Sequence, residues 1–211
     1  MASHCSRLLL KRLHKTTVIR IVRGYRTISH ASAFVLTASP PFELQALALQ
    51  RVYEYRRGLQ APGDIRQEAR QETWERWRSD LLAEDTVRAH RAVRAVLPNW
   101  EAWKDSDGIP LTFRMTQVLT GHGVFGEYLR KIQREVTNIC HHCQEEEDTP
   151  QHTLKFCPAW AEPRHVQVVI GDGLAPSSIV KAMLRGQQEY LAVRAFCERV
   201  MLAKELVERE R

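Results

Sequence analysis

The chain has 211 residues, with 31 lysine and arginine side chains against 25 acidic ones, so its formal net charge is +6. Hydrophobic residues make up 44% and charged residues 27%, values that are typical of globular proteins and exclude a collagen-like fibre or a fully disordered chain. No segment approaches the run of about 18 apolar residues that a transmembrane helix needs, so we expect no membrane partner. The length accommodates one or two small domains with a hydrophobic core.

The positive charge is concentrated at the N-terminus. Seven basic residues precede Glu43, the first acidic residue, and the remaining 24 basic residues face 25 acidic ones. Apolar or small side chains recur at helical spacing on one face of this segment, with Val18 and Val22 beside them. That face consists of Leu10, Leu13, Thr17 and Ile21. The segment is therefore predicted to be one basic helix attached to a near-neutral body.

Two interpretations of this helix stay open at the level of charge alone. One is a nucleic-acid contact made through phosphate groups, and the other is a mitochondrial presequence, which is also amphipathic and poor in acid. A secretory signal peptide is disfavoured because the apolar run Leu8–Leu10 is short and is followed at once by Lys11 and Arg12. We expect a nuclear or cytoplasmic protein, with mitochondrial import as the minor alternative.

The next segments carry helix signals in chain order. Ser39, Pro40 and Pro41 indicate a helix start with Glu43 in the first turn, and Gly58 indicates the end of that helix. A turn is predicted at Pro62-Gly63, followed by one helix over residues 65–97. Trp74, Trp77 and Leu81 recur at helical spacing there, which favours a core position over a base-stacking surface.

The second half is also predicted to be mostly helical. Pro98 ends the preceding helix, residues 105–108 form a loop, and Gly121-His122-Gly123 interrupts a helical pattern over residues 111–132. Two glycines around a histidine indicate a sharp turn or a close approach of the backbone. Residues 163–170 favour a helix, although their valines leave a strand open, and residues 177–184 and 188–208 are predicted to form the last two helices.

A cysteine-rich segment carries the strongest chemical signal. Cys140, Cys143, His152 and Cys157 follow the pattern C-x2-C-x8-H-x4-C. Zinc in structural sites is held by four cysteine or histidine ligands in a tetrahedron, and this set is complete without a water ligand. The pattern therefore predicts a structural Zn²⁺ site, with residues 144–150 as a solvated acidic loop. His141 and His142 are predicted to point outward from the same turn.

The two other cysteines have a different context. Cys197 recurs at helical spacing with Val193, Val200 and Met201, which predicts a buried apolar cysteine. Cys5 falls in a terminal segment that is expected to fray. Five cysteines arranged in this way are too few and too uneven for a disulfide scaffold.

Several motifs resemble the C-terminal region of non-LTR (LINE-type) retrotransposon polyproteins. Residues 23–29 (RGYRTIS) and 40–44 (PPFEL) are similar to the segment that follows the polymerase palm in that family. Residues 116–129 (TQVLTGHGVFGEYL), 147–154 (EDTPQHTL) and 157–160 (CPAW) resemble the stretch before the zinc knuckle and the knuckle itself. The resemblance runs from about Leu13 to the C-terminus and is closest to elements that insert in ribosomal RNA genes.

The resemblance implies a mainly α-helical fold with four segments. These are a thumb-like basic segment at residues 1–60, a helical connector at 61–110, the Gly-His-Gly helix and zinc knuckle at 111–157, and closing helices at 158–211. It implies that RNA or DNA is the partner and that Cys140, Cys143, His152 and Cys157 bind zinc. The candidate phosphate contacts are Lys11, Arg12, Lys15, Arg20, Arg23, Arg26, Arg130, Lys131 and Arg134.

The family's catalytic aspartates have no counterpart in this chain. Polymerases use paired aspartates to bind two metal ions, and this sequence contains no Asp-Asp pair. We therefore expect no enzymatic activity and a nucleic-acid-binding fragment of the thumb-and-knuckle type. The alternative is a protein-interaction module, in which apolar helix faces bind a polymerase palm domain or a second copy of the chain.

Overall fold

A computed structural model describes residues 4–58, 64–106, 108–171 and 173–210, and the turn predicted at Pro62-Gly63 lies outside these ranges. Eleven α-helices and no β-strand occur in them, so the predicted mainly α-helical fold is confirmed. The helices are α1 (His4–Ile21), α2 (His30–Leu36), α3 (Phe42–Arg57), α4 (Ile65–Val87), α5 (Arg91–Val96), α6 (Trp100–Asp105), α7 (Phe113–Thr120), α8 (Gly126–Lys131), α9 (Val166–Ile170), α10 (Pro176–Arg185) and α11 (Gln187–Arg209).

Helix α1 packs on the body through a different face from the predicted apolar stripe. Val18 and Val22 are buried, whereas Leu13 and Ile21 are 64% and 60% exposed. His14 lies on the inward face, where its ring stacks on Phe42 at 3.4 Å between centroids and its Nδ1 accepts the Phe42 N–H at 3.2 Å. The leucine face is therefore exposed, because His14, Val18 and Val22 share the side that meets the core.

Helix α2 is short and has no signal in the sequence pattern, because apolar or small residues occupy all of its sides and leave no helical period. The Ser29 hydroxyl caps its N-terminus by accepting the Ser32 N–H at 3.1 Å. All residues from 31 to 36 are buried. The helix is thus a central element of the core, against which α1 and α5 pack.

The single helix predicted over residues 65–97 is wrong. Helix α4 ends at Val87, Arg88 is extended with φ −136° and ψ 102°, and α5 begins at Arg91. The Asp85 carboxylate accepts the His90 N–H at 3.0 Å and pairs with Arg94 at 2.8 Å. Asp85 therefore holds the break by binding both the turn and the following helix.

The core position predicted for the tryptophan stripe is confirmed. Trp74, Trp77 and Trp100 pack together, with ring centroids 5.3–5.5 Å apart. Trp103 is fully buried, and its indole N–H donates to the Val35 carbonyl at 2.7 Å. These contacts fix α4 and α6 against α2.

The glycine turn between α7 and α8 has the predicted sharp geometry. Gly121 and Gly123 have φ values of +72° and +139°, which L side chains rarely adopt. A Cβ atom at Gly123 would also overlap the Gln117 side chain. The turn redirects the chain so that α8 leads into the cysteine-rich segment.

The C-terminal elements agree with the sequence prediction. Residues 163–170 form a 3-10 turn, Pro163–His165, followed by α9, and the last two predicted helices correspond to α10 and α11. One hydrophobic cluster includes Val18, Trp77, Leu154 and Val200, so it draws on all four predicted segments. The division into those segments stays a prediction. No helix in the described part of the chain has the length and apolar content that crossing a membrane would require.

Candidate metal centre

The cysteine-rich segment begins with a tight turn that carries Cys140 and Cys143. Ile139 and Glu147 form an isolated antiparallel bridge, and the Cys140 N–H donates to the Glu146 carbonyl at 2.8 Å. The Gln144 N–H closes the turn on the Cys140 carbonyl at 2.7 Å, with Gln144 itself at φ +60°. These bonds place both thiols on the inner side of one small loop.

His152 and Cys157 come from a short π-helical turn, His152–Phe156, that faces this loop. The Thr149 hydroxyl accepts the His152 N–H at 2.9 Å, and the Cys157 N–H donates to the His152 carbonyl at 2.8 Å. The Arg164 guanidinium donates to the carbonyls of Leu154 and Cys157. Hydrogen bonds to backbone atoms therefore hold both His152 and Cys157 in place.

The four side chains converge as the sequence spacing predicts. The ligand atoms of Cys140, Cys143, His152 and Cys157 all lie within 4.8 Å of one another. The Cys140 and Cys157 sulfurs are 3.8 Å apart, and the Cys143 sulfur is 3.3 Å from His152 Nε2. Tetrahedral zinc with bonds of about 2.3 Å to sulfur and about 2.0 Å to nitrogen gives separations of about 3.8 and about 3.5 Å. The cluster could hold a metal ion.

A carboxylate fixes the orientation of the histidine. Glu146 Oε2 lies 2.8 Å from His152 Nδ1, so Nδ1 carries the proton and Nε2 is directed at the thiols. Metal-bound histidines commonly donate their second ring N–H to such a partner. Glu146 has no role in the sequence prediction, although an acid six residues before the histidine is visible in the sequence.

The two histidines between the cysteines lie outside the ligand cluster, as predicted. The His142 ring packs against Trp160 with centroids 4.5 Å apart, and His141 Nε2 is 3.7 Å from a Glu135 oxygen. Both residues are partly exposed, and the His141 side chain keeps 33% of its surface accessible. Burial lowers the pKa of His142, and the nearby Lys204 lowers it further.

The thiols differ in their tendency to ionise. Burial raises the pKa of Cys157 to about 12 and also raises that of Cys140, because an apolar environment disfavours the thiolate. At Cys143, burial opposes ionisation and is the largest single influence on the pKa. Hydrogen bonds from the backbone N–H groups of Glu145 and Glu146 and from the side chains of His152 and Cys140 together outweigh it, and the pKa falls to about 7. A bound cation would supply the charge that the two buried thiolates need.

Cys197 is buried, which confirms the prediction of an apolar cysteine on the last helix. Burial raises the pKa of its thiol to about 12, so it has little thiolate character. Cys5 is exposed on α1. Neither belongs to the ligand cluster.

The acidic loop is expected from the sequence to be solvated, but Asp148 within it is buried. Lys204 of α11 places its Nζ 2.6 and 2.7 Å from the two Asp148 oxygens. The Gly126 N–H and the Thr153 hydroxyl donate to the same carboxylate at 2.9 and 3.1 Å. Asp148 therefore joins the cysteine-rich segment to α8 and α11, because it satisfies donors from all three.

The predicted phosphate contacts occupy two connected places. Lys11, Arg12, Lys15 and Arg20 lie along α1, and Arg130 and Lys131 end α8. The Thr27 hydroxyl lies 2.7 Å from the Tyr128 hydroxyl, and the Thr116 hydroxyl donates to the Val22 carbonyl. These bonds bring the segment containing Arg23 and Arg26 alongside α8.

Two of the nine predicted contacts are engaged in ion pairs. Lys11 lies 3.4 Å from Glu43, and Arg134 lies 2.9 Å from Glu208. The other seven form no ion pair with the described residues, and six of them are exposed while Lys15 is partly buried. Their role in binding stays a prediction.

Taken together, the described residues define an α-helical body that carries a cluster of three cysteines and one histidine able to hold a metal ion. The chain is 28% identical to a Pol polyprotein of the type-1 retrotransposable element R1 4 from Nasonia vitripennis, in an alignment 202 residues long that covers 89% of the chain. It is 30% identical over 95 residues, 44% of its length, to a Pol polyprotein of the type-1 retrotransposable element R1 from Popillia japonica. The homologues of this chain are Pol polyproteins of R1 non-LTR retrotransposons, in agreement with the sequence resemblance.

The matches cover only part of these relatives. The chain spans 51% of the first polyprotein and 35% of the second, about half or less of their lengths. No family model matches the chain. No solved structure matches it either. The homology supports a region related to a reverse transcriptase polyprotein.

The buried Asp148–Lys204 pair gives a stability prediction. We expect Asp148→Asn to lower the free energy of unfolding by about 3–5 kcal/mol, because Lys204 would keep a buried charge without its counter-charge. Urea unfolding at neutral pH measures this effect. The exposed pair Arg199–Glu162 provides the control, and Glu162→Gln should change stability by less than about 1 kcal/mol.

A double substitution tests whether the charge is the cause. Asp148→Asn combined with Lys204→Met removes the unpaired cation, so it should recover a large part of the lost stability. Equal destabilisation of the single and double variants would contradict the role assigned to the unpaired Lys204 charge.

Proposed function

We propose that this chain is a non-catalytic, zinc-stabilised module that binds nucleic acid and corresponds to the thumb-and-knuckle end of a retrotransposon reverse transcriptase. The observation that carries the proposal is the cluster of Cys140, Cys143, His152 and Cys157, anchored by Asp148 to helices that border basic side chains. The homology to R1 Pol polyproteins supports the same assignment. The absence of an Asp-Asp pair from the sequence supports a role without polymerase catalysis.

Zinc is the metal that suits this ligand set best. Three sulfurs and one imidazole nitrogen are the ligands of structural zinc sites, and a closed set leaves no position for a reacting water. Cys140 and Cys157 are fully buried and His152 nearly so, which suits a structural ion. The ion would tie the Cys140–Cys143 turn to the His152–Phe156 turn and contribute to folding.

Metal analysis tests the zinc proposal. Purified protein should contain about one equivalent of zinc, and Cys143→Ser should remove it because one of four ligands is lost. Cys5→Ser is the matched control, since this exposed cysteine lies outside the cluster and its loss should leave the zinc content unchanged. Protein purified under reducing conditions that contains no zinc, and takes up none when it is added, would contradict the proposal.

Nucleic-acid binding is proposed through phosphate contacts. Arg12, Arg20, Arg23, Arg26 and Arg130 are exposed and form no ion pair with described residues, so their charge is available to a ligand. Arginine pairs well with phosphate oxygens because its guanidinium offers several N–H donors in one plane. The hydrogen bond between the Thr27 and Tyr128 hydroxyls brings the basic groups of the N-terminal segment and of α8 into one neighbourhood.

Salt dependence tests this contact surface. Replacing Arg20, Arg23 and Arg26 by glutamine should weaken binding to single-stranded RNA and lower the slope of log K against log salt by about 2. Fluorescence anisotropy over a salt series measures both quantities. Point substitutions are preferable to deletion of the segment, because Val18 and Val22 belong to the core.

The control replaces three exposed arginines of α4 (Arg66, Arg70 and Arg78) by glutamine. It removes the same charge, yet it should preserve most of the affinity. Equal losses of affinity in the two triple variants would indicate unspecific charge attraction. Wild-type affinity that does not change with salt concentration would contradict phosphate contacts altogether.

A protein-interaction module is the second candidate, and the exposed face of α1 favours it. Leu9, Leu10, Leu13 and Ile21 are each between 46% and 64% exposed, although leucine and isoleucine are usually buried. A group of exposed apolar side chains on one helix face commonly marks a contact with another protein surface. A second copy of the chain or a polymerase palm domain would cover it.

Light scattering coupled to size exclusion tests self-association through this face. If it mediates dimers, the wild-type protein should have twice the monomer mass, and Leu13→Glu should restore the monomer. Gln67→Glu on α4 is the control, because Gln67 is exposed and lies outside this face, so its substitution should leave dimers intact. A monomeric wild-type protein at micromolar concentration would contradict self-association.

We also propose a nuclear or cytoplasmic location for the chain. The packing of Val18 and Val22 in the core supports this, because it makes the basic segment part of the fold. A mitochondrial presequence is removed on import and has no such role. Imaging of a tagged chain tests the location, and signal from the mitochondrial matrix would contradict it.

A further inference from the structure

A polar cleft lies between α5, the glycine turn and α8. Its volume of about 470 Å³ falls within the range of about 300–1,000 Å³ that is typical of ligand sites. Thr27 lies on one side, Arg91 and His122 on another, and Tyr128 and Lys131 on the side of α8. The cleft is separate from the metal-binding cluster, whose four ligand side chains do not line it.

Arg91 is the central charged group of the cleft. Its Nε donates to the Val118 carbonyl at 3.0 Å and its Nη2 to Gln151 Oε1 at 3.3 Å, and both acceptors are uncharged. Among the described residues no carboxylate forms an ion pair with it. Burial lowers the pKa of Arg91 to about 10, although Glu127 acts in the opposite direction, so the guanidinium stays charged at neutral pH.

Arg91 is partly buried. A cation that is partly removed from water and has no paired carboxylate is costly, and its remaining N–H groups favour an anion. The charges of the other groups around the cleft are mostly compatible with a bound anion. Lys131 is exposed at the rim, and His90 is directed at Glu84, with 3.3 Å between Nε2 and the carboxylate. Burial lowers the pKa of His122, which keeps its ring neutral. Glu127, exposed at the rim, is the acid that opposes an anion among the described lining residues.

One wall of the cleft is aromatic and fixed. The His122 and Tyr128 rings pack with centroids 4.7 Å apart, and the Tyr128 hydroxyl is held at 2.7 Å by Thr27. Aromatic side chains of this kind stack on unpaired bases in single-stranded nucleic acids. A phosphate beside Arg91 would place the adjoining nucleotide near this wall.

We propose that this cleft binds a phosphate group of a single-stranded nucleic acid, with Arg91 as the principal donor and Lys131 as a second cation at the rim. The inference rests on the proposed nucleic-acid binding and deepens it by naming a site. Arg26 precedes Thr27 in the chain and Arg130 precedes Lys131, so a strand that runs along the exposed arginines would pass the cleft. Walls of hydroxyl and aromatic groups suit a nucleotide better than an acidic peptide.

Anisotropy with a labelled single-stranded RNA of about 12 nucleotides tests the proposal on the full chain. Arg91→Gln should weaken binding about tenfold, because hydrogen bonds to a charged group are strong, and should lower the salt slope by about 0.7. Glu127→Gln should strengthen binding about twofold to threefold, since it removes the opposing charge. Arg70→Gln, on exposed α4, should leave the affinity within about twofold.

Arg91→Gln and Glu127→Gln test the cleft independently, so the test remains possible if one of them fails to fold. Arg91 also holds Val118 and Gln151, so its loss could unfold the protein, and Glu127→Gln then decides alone. Binding that Glu127→Gln leaves unchanged would overturn the cleft as a phosphate site, while the proposed nucleic-acid binding would stand. Tighter binding of a poly-glutamate peptide than of RNA would overturn nucleic acid as the ligand.

A titration with inorganic phosphate distinguishes failure of the proposed cleft site from failure of the proposed nucleic-acid binding. If the wild-type chain binds no RNA, the proposed function fails, and inorganic phosphate then probes the cleft directly. Unshifted amide resonances at Gly121, His122 and Gly123 during a phosphate titration would overturn the anion site. Shifts there that vanish in Arg91→Gln would support the anion site and exclude nucleic acid as its source.

Discussion

The buried ion pair between Asp148 and Lys204 is the contact on which the arrangement of the metal centre depends. Both side chains are 2–4% exposed, so neither charge is compensated by water. The Asp148 oxygens also accept from Gly126 and Thr153, which leaves the carboxylate fully hydrogen-bonded. Such a pair stabilises a structure only when every polar group is satisfied, and here that condition holds for the carboxylate. The position of the cysteine-rich loop relative to α8 and α11 depends on it.

The metal centre is consequently integrated with the helical body. Cys140 and Cys157 lie in the same hydrophobic cluster as Leu154 and Val200. A small knuckle in isolation depends on its metal to fold, because it has too little apolar surface to bury. In this chain the loops that carry the four candidate ligands gain further support from α11 and from Arg164, so a bound metal would add to contacts that the core already makes.

The sequence allowed local features to be predicted and left tertiary ones open. The four candidate metal ligands could be predicted because they lie close together in the chain. The tryptophan stripe could be predicted because side chains on one face of a helix recur at a fixed spacing in the sequence. The break after Val87 and the inward face of α1 depend on partners such as Asp85 and Phe42, which no local pattern contains. The burial of Lys204 could have been predicted, since this residue continues the helical spacing of the apolar residues Cys197 and Val200 on α11.

The bonds that hold the basic segment have a consequence for the order of folding. Thr116 and Val22 are separated by 94 residues, and Tyr128 and Thr27 by 101. During synthesis residues 22–27 therefore emerge long before Thr116 and Tyr128, the partners that these two hydrogen bonds require. Contacts between such distant residues form slowly, because a long loop must close first. Until α7 and α8 have been made, residues 22–27 lack these two hydrogen bonds, so the segment that carries Arg23 and Arg26 reaches its final position only late in synthesis.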